Sequence, residues 1–221
     1  MKFQIIFATG NQNKVREARE ILDETPFFGG TPVKTMKEVG LSSDPEETGK
    51  SFEENALIKA RALAALLPKK DQEWREFAVR HGFDPDIPIV VLSDDSGLCI
   101  DALNGEPGIY SARYMGHDTS YTDKMNAILE RMKDVPDERR GAKFAAAIAA
   151  VLPDGREYIV RGEMPGRIAW KIAGSNGFGY DPFFYLPEYG KTSAEIAPEE
   201  KNAISHRGKA LRAMFRKLKE L

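Results

Sequence analysis

The chain contains a single cysteine, Cys99, so no disulfide can form within it and a reducing cytoplasm is the expected setting. Histidine is almost as scarce. His81, His117 and His206 are scattered without metal-ligand spacing, which argues against a zinc site. No apolar run approaches the length of a membrane span, and too few apolar residues precede Thr9-Gly10-Asn11 for a signal peptide. Neither sign of charge is in excess: 32 Lys and Arg against 34 Asp and Glu leave a net charge of −2. That balance argues against a nucleic-acid-binding surface as the main business of the molecule. Repeats and low-complexity tracts are also missing. What is there, 42% hydrophobic and 30% charged over 221 residues, suits a globular protein with a sizeable core, as one domain or as two lobes sharing a sheet.

The stretch that organises the rest is Ser93-Asp94-Asp95-Ser96-Gly97. It follows Ile89-Val90-Val91-Leu92, a β-branched run suited to a buried strand. Two adjacent carboxylates are then expected where that strand ends, with a glycine to let the backbone turn before residues 98–101 continue as strand. Strand ends of α/β sheets are where ligands usually bind. Taken alone, the pair either holds a hard metal through oxygen or caps a turn.

Around it, the spacing predicts a strand over residues 3–8 and then the turn Thr9-Gly10-Asn11. A helix follows with Val15, Ala18 and Leu22 on one face. A helix N-terminus behind a glycine turn, with Lys14 in its first turn, makes an anion site. Residues 33–36 read as a short second strand. After an acidic loop, Ser51 and Glu54 form a capping box that starts a helix whose apolar face is Phe52, Ala56, Ala60, Leu63 and Leu67. Asn55 and Lys59, four apart, project from one side of it. Gly49-Lys50-Ser51 is not a phosphate loop, because Asp44 stands where the first glycine belongs.

Residues 68–88, with prolines at both ends and Trp74, Phe77 and Phe83 inside, read as an excursion carrying a short helix over 72–80. Asn104-Gly105 marks a tight turn, and a helix is expected over residues 121–132. Residues 142–152 and 156–162 flank Pro153-Asp154-Gly155, a hairpin signal, although the alanines of the first arm favour helix. A glycine-dense loop then ends in Tyr180-Asp181. Phe183-Phe184-Tyr185 follow as strand, and one C-terminal helix is expected from Pro198, with Leu211, Met214, Phe215 and Leu218 turned inward.

Together these pieces offer acids, placed lysines, glycine turns and an aromatic loop, an inventory for an anionic ligand, a divalent metal and a flat ring. The set Thr9-Gly10-Asn11-x-x-Lys14, Glu46-Glu47-Thr48-Gly49, Phe52-x-Glu54-Asn55-Ala56-x-x-Lys59-Ala60, Ser93-Asp94-Asp95-Ser96-Gly97-Leu98 and Pro107-Gly108-Ile109-Tyr110-Ser111-Ala112-Arg113 resembles the non-canonical purine nucleoside triphosphate pyrophosphatases. These are the inosine and xanthosine triphosphate pyrophosphatase family. Gly177-Phe178-Gly179-Tyr180-Asp181-Pro182 and Glu200 to Gly208 resemble its two C-terminal motifs. The likeness runs in order from residue 3 to about 215. It departs at residues 68–88, where bacterial members usually connect the helix and the strand in far fewer residues.

The resemblance implies an α/β fold: an elongated mixed β-sheet with flanking helices, forming two lobes around a central cleft, usually in a homodimer. The whole chain, 1–221, would be one domain with 68–88 as a peripheral insertion. It implies Mg²⁺-dependent hydrolysis of ITP, dITP and XTP to the monophosphate and pyrophosphate, without nucleic-acid or membrane partners. Asp95 and one of Glu46 and Glu47, with Glu47 favoured, would hold the metal. Asp95 would position or activate water, Asp94 would assist it, and Lys59 would stabilise the leaving group. Lys14, Thr9, Gly10, Asn11 and Ser96 would hold phosphates. Phe178 and Tyr180 would stack on the base, Gly179 lying between them, while Asp181, Lys201, His206 and Arg207 would meet its polar edges. Two alternatives are a purine nucleotide sensor without hydrolysis and a pyrophosphatase for modified pyrimidine nucleotides. The carboxylates near phosphate weigh against the first, and the two C-terminal motifs against the second.

Overall fold

A mostly apolar run makes a strand that is covered on both faces, and Gln4–Phe7 (β1), with Ile5, Ile6 and Phe7, is one, buried at every position. In the computed structural model, which describes residues 3–25 and 30–221, β1 lies parallel to two neighbours. Val33–Thr35 (β2) is on one side, with Ile5 opposite Val33, and Ile89–Ile100 (β3) is on the other, with Ile5 opposite Val90. Gly141–Val151 (β4), Glu157–Ile168 (β5), Phe184–Leu186 (β6) and Lys191–Thr192 (β7) complete a mixed sheet, ordered β2-β1-β3-β4-β5-β6-β7 among the described residues. The helices are Gln12–Glu24 (α1), Phe52–Ala64 (α2), Asp71–Arg80 (α3), Tyr121–Arg131 (α4), Pro198–Ile204 (α5) and His206–Lys219 (α6).

The chain divides into two units. One takes the chain as far as Asp95, then Ala147–Arg161 and Ala210–Leu221; the other takes Ser96–Ala146 and Gly162–Lys209. Each has its own core. In the first, Ile6, Val15, Ile21, Ala60, Leu63 and Val90 are buried. In the second, Leu98, Ile100, Ile128, Phe144, Phe183 and Phe184 pack together.

The expected elements form, with three corrections. The buried strand does not end at the acid pair. β3 runs twelve residues straight through Ser93 to Gly97, because each carboxylate finds a lysine and needs no turn to reach water. The C-terminal helix is two helices, broken where Ser205 takes an extended conformation (φ −64°, ψ 152°). There Ser205 caps α6, its Oγ accepting from the Gly208 amide at 3.0 Å.

The third correction concerns residues 68–88, expected as a peripheral insertion. Phe83 is only 4% exposed and Ala78 is buried. The buried Gln4 side chain donates to the Asp84 and Ile87 carbonyls at 2.8 and 3.0 Å and accepts from the Asp84 amide at 2.8 Å. Buried amide side chains nearly always find partners, and here the excursion supplies them to that of β1. It is stitched into the first unit.

Candidate functional site

Successive side chains of a strand point to opposite faces, and β3 uses this to separate its acids. Ser93 donates to the Ala56 carbonyl of α2, so Asp95, two residues on, faces α2 as well. Asp94 faces the other way, toward α1, where the Lys14 ammonium bonds its carboxylate and reaches its carbonyl at 3.4 Å. Lys14 is held by the start of α1. Asn11 caps that helix, accepting from the Asn13 and Lys14 amides at 3.0 and 3.4 Å, and Thr9 Oγ1 accepts from the Asn11 amide at 3.1 Å. The Thr9 amide donates to Phe7. Two amides of the Thr9-Gly10-Asn11 turn are therefore committed within the protein, and Lys14 is the turn's main cationic contribution.

On the α2 side, Lys59 stands between two carboxylates, 2.7 Å from Asp95 Oδ1 and 2.9 Å from Glu47 Oε1. Glu46 is exposed, so of the two glutamates it is Glu47 that joins the group. Ser51 starts α2, accepting from the Glu54 amide at 3.2 Å. Glu54 then reaches the Lys50 amide at 2.6 Å, one residue earlier than a regular capping box would have it.

One cation between two anions leaves a net negative charge in a poorly solvated place. Burial opposes the Lys59 charge, yet Asp95 and Glu47 overcome it and hold the ammonium above its usual range. Burial lifts the Asp95 carboxyl above its usual range. Lys59 and Lys14 offset this in part, and Glu47 adds to it. Asp95 Oδ2 is buried and receives no hydrogen bond from the protein. An excess of negative charge with a bare carboxylate oxygen fits a divalent cation. Among the described residues no third His, Cys, Asp or Glu joins the two carboxylates in a metal-holding group. A cation here would take two protein carboxylates at most, and its other ligands would come from water or substrate.

In the second unit, Asp181 is buried and anchors the glycine-dense loop. It accepts from Ser193 Oγ at 2.8 Å, from the Phe178 amide at 2.8 Å and from Lys201 Nζ at 2.5 Å. Gly177 has φ +73°, and a Cβ there would fall 2.1 Å from Asp181 Oδ2, so only glycine lets the loop close on this carboxylate. Phe178 is half-buried, and Lys201 and Arg207 lie 5.1 and 5.4 Å from its ring centre. Arg207 also donates to Ser96 Oγ at 2.8 Å. His206 stacks on Phe144 at 4.9 Å.

Two expectations change here. Tyr180 is buried, its hydroxyl donating to the Ser111 carbonyl at 3.0 Å and its ring edge-on to Tyr121 at 5.1 Å, so its face is not offered for stacking. Burial pushes its phenol pKa up. Asp181 has both oxygens taken, one by Ser193 and the other by the Phe178 amide and Lys201. Phe178, Lys201 and Arg207 remain gathered together. Gly179 lies beside them in sequence with φ +67°. Sequence reasoning missed Ser193, which carries no motif signal.

A mixed α/β protein with two carboxylates on one strand, each against its own lysine, is equipped to hold a polyanion together with a cation. The chain belongs to the Ham1 family, whose model matches residues 5–217. It is 45% identical over 222 residues to a dITP/XTP pyrophosphatase of Symbiobacterium thermophilum, covering 99% of this chain and 96% of that protein. It is 40% identical to one of Clostridium perfringens, covering 98% of this chain and 97% of that protein. Among solved structures, a Ham1 protein from Coxiella burnetii matches with a TM-score of 0.78 at 36% identity, over 100% of both chains.

Proposed function

We propose that this protein hydrolyses purine nucleoside triphosphates with a 6-oxo base, such as ITP, dITP and XTP, to the monophosphate and pyrophosphate, with Mg²⁺. The observation that carries the reading is Lys59 between Glu47 and Asp95, with Asp95 Oδ2 left bare. The relatives named dITP/XTP pyrophosphatases support the substrate class. Glu47 and Asp95 would hold Mg²⁺, which when bound supplies positive charge at the phosphate oxygens. Asp95 orients a water whose oxygen bonds to the α-phosphorus, the water's proton passing to solvent. The bond from that phosphorus to the bridging oxygen breaks, and pyrophosphate leaves with the electron pair. Lys59 and Lys14 stabilise the charge gathering on it. Ser96 contributes to phosphate binding, Phe178 takes the base on its ring face, and Lys201, His206 and Arg207 supply polar contacts.

The reading includes a homodimer, after the family, and a reducing cytoplasm, which the lone Cys99 suits. It is tested by following products from ITP, XTP, ATP and dUTP with and without Mg²⁺. Pyrophosphate as the first product from ITP and XTP is expected. Orthophosphate first would mean attack at the γ-phosphorus and would sink the reading.

A further inference from the structure

Asn55 sits one turn ahead of Lys59 on α2, and this spacing places both side chains on one face of the helix. It is 0% exposed. Its Oδ1 accepts from the Gly49 amide at 2.9 Å, two residues beyond Glu47. The chain here runs so close to α2 that a Cβ on Gly49 would fall 2.5 Å from Asn55 Oδ1 and 2.7 Å from Glu54 Cβ. Three bonds therefore pin residues 47–50 to this helix: Glu47 to Lys59, Gly49 to Asn55, and Lys50 to Glu54. Asn55 Nδ2 is buried and meets no acceptor in the protein. Buried polar atoms left this way are rare. Among the described residues of the first unit, Asn55 Nδ2 shares the condition only with Asp95 Oδ2. One is a donor and the other an acceptor, and Lys59 links them, bonded to Asp95 and one helical turn from Asn55.

We propose that Asn55 is a positioning residue for the Glu47 carboxylate. By holding the Gly49 amide it fixes the loop that presents Glu47, so that Glu47 and Asp95 together receive a divalent cation. A ligand shell of only two carboxylates depends heavily on how each is oriented, because outer contacts fix inner ligands. The inference rests on the metal-dependent reading given above.

The test uses the full chain as wild type, Asn55→Ala and Asn55→Asp. Mn²⁺ binding is measured by electron paramagnetic resonance without nucleotide, and hydrogen exchange is measured at the Gly49 amide. Asn55→Ala should bind Mn²⁺ about 10-fold or more weakly, in the range typical of lost outer contacts, and should lose Gly49 protection. Asn55→Asp keeps the acceptor for that amide and should restore both. In turnover, Asn55→Ala should raise the Mg²⁺ needed for half-maximal rate more than it raises KM for ITP at saturating Mg²⁺. Wild-type Mn²⁺ affinity in Asn55→Ala, or failure of Asn55→Asp to restore it, overturns the proposal. So does an unprotected Gly49 amide in the wild type, a reading that needs no variant to fold. Wild-type protein that neither binds Mn²⁺ nor releases pyrophosphate from ITP overturns the proposed function itself, whereas an active wild type matched by Asn55→Ala overturns this inference alone.

Discussion

Asp94 and Asp95 are adjacent in sequence and face opposite sides of β3, one bonded to Lys14 and the other to Lys59. The two substitutions should therefore fail differently. Asp95→Asn removes the bare oxygen and one carboxylate of the proposed cation site, and is expected to lower kcat on the order of 10²-fold or more. Asp94→Asn leaves that site intact and unseats Lys14, so it should act mainly on KM. Mg²⁺ titrations of pyrophosphate release check this. A shifted Mg²⁺ requirement in Asp94→Asn would mean that the two acids work as one.

The raised Asp95 pKa sets a sign for stability. A group whose folded pKa lies above its unfolded value stabilises at low pH, and that contribution is lost as pH rises through the folded value. Burial is the main cause here, with Lys59 opposing it. In EDTA, wild type should lose stability relative to Asp95→Asn as pH climbs from about 4 to 7. Denaturant titrations at several pH values measure the difference between the two proteins, which isolates this residue from the carboxylates of opposite sign, such as Glu53. A difference that runs the other way would place the Asp95 pKa below the ordinary range.

The excursion at 68–88 is expected to behave as core. Phe83→Ala should cost about 3–5 kcal/mol, and replacing the segment with a Gly/Ser linker should cost more, since it also strands the Gln4 side chain. Urea unfolding reads both. A linker variant as stable as wild type would show that the segment only decorates the first unit.

Arg207 bears on base choice. It is buried, bonded to Ser96 and placed over Phe178. A guanidinium donates well to a 6-oxo oxygen and poorly to the hydrogens of a 6-amino group. Wild type should favour ITP over ATP by about a hundredfold in kcat/KM, and Arg207→Ala should narrow that gap mainly by losing ITP. Equal activity of the wild type on both nucleotides would remove Arg207 from base reading.

The sequence made the chemistry legible residue by residue, because acids, lysines and glycine turns carry their own signals. Their pairing was not legible. Lys14 and Asp94 are 80 positions apart, Lys59 and Asp95 36, and no local pattern states that a charge will be neutralised from so far away. For that reason two carboxylates looked like the end of a strand that in fact continues. The same blindness hid the difference between exposed Glu46 and bonded Glu47, and hid the burial of Tyr180, whose partner Ser111 lies 69 residues away. The break at Ser205 was within reach, since a serine three residues before Gly208 is a cap signal, but the continuous apolar face beyond it masked the stop.

The alanines of β4 reach beyond the site. From Ala145 to Ala150 every residue is fully buried, yet alanine is the best helix former and is depleted in strands. Residues 141–151 are a strand by company, not by inclination. On the ribosome β3 emerges before them and β5 only after, so for a time the segment has half its neighbours and is free to coil. Refolding should therefore hinge on when the hairpin at Pro153-Asp154-Gly155 closes. A helical detour over these eleven residues is the misstep that the chain's own composition invites.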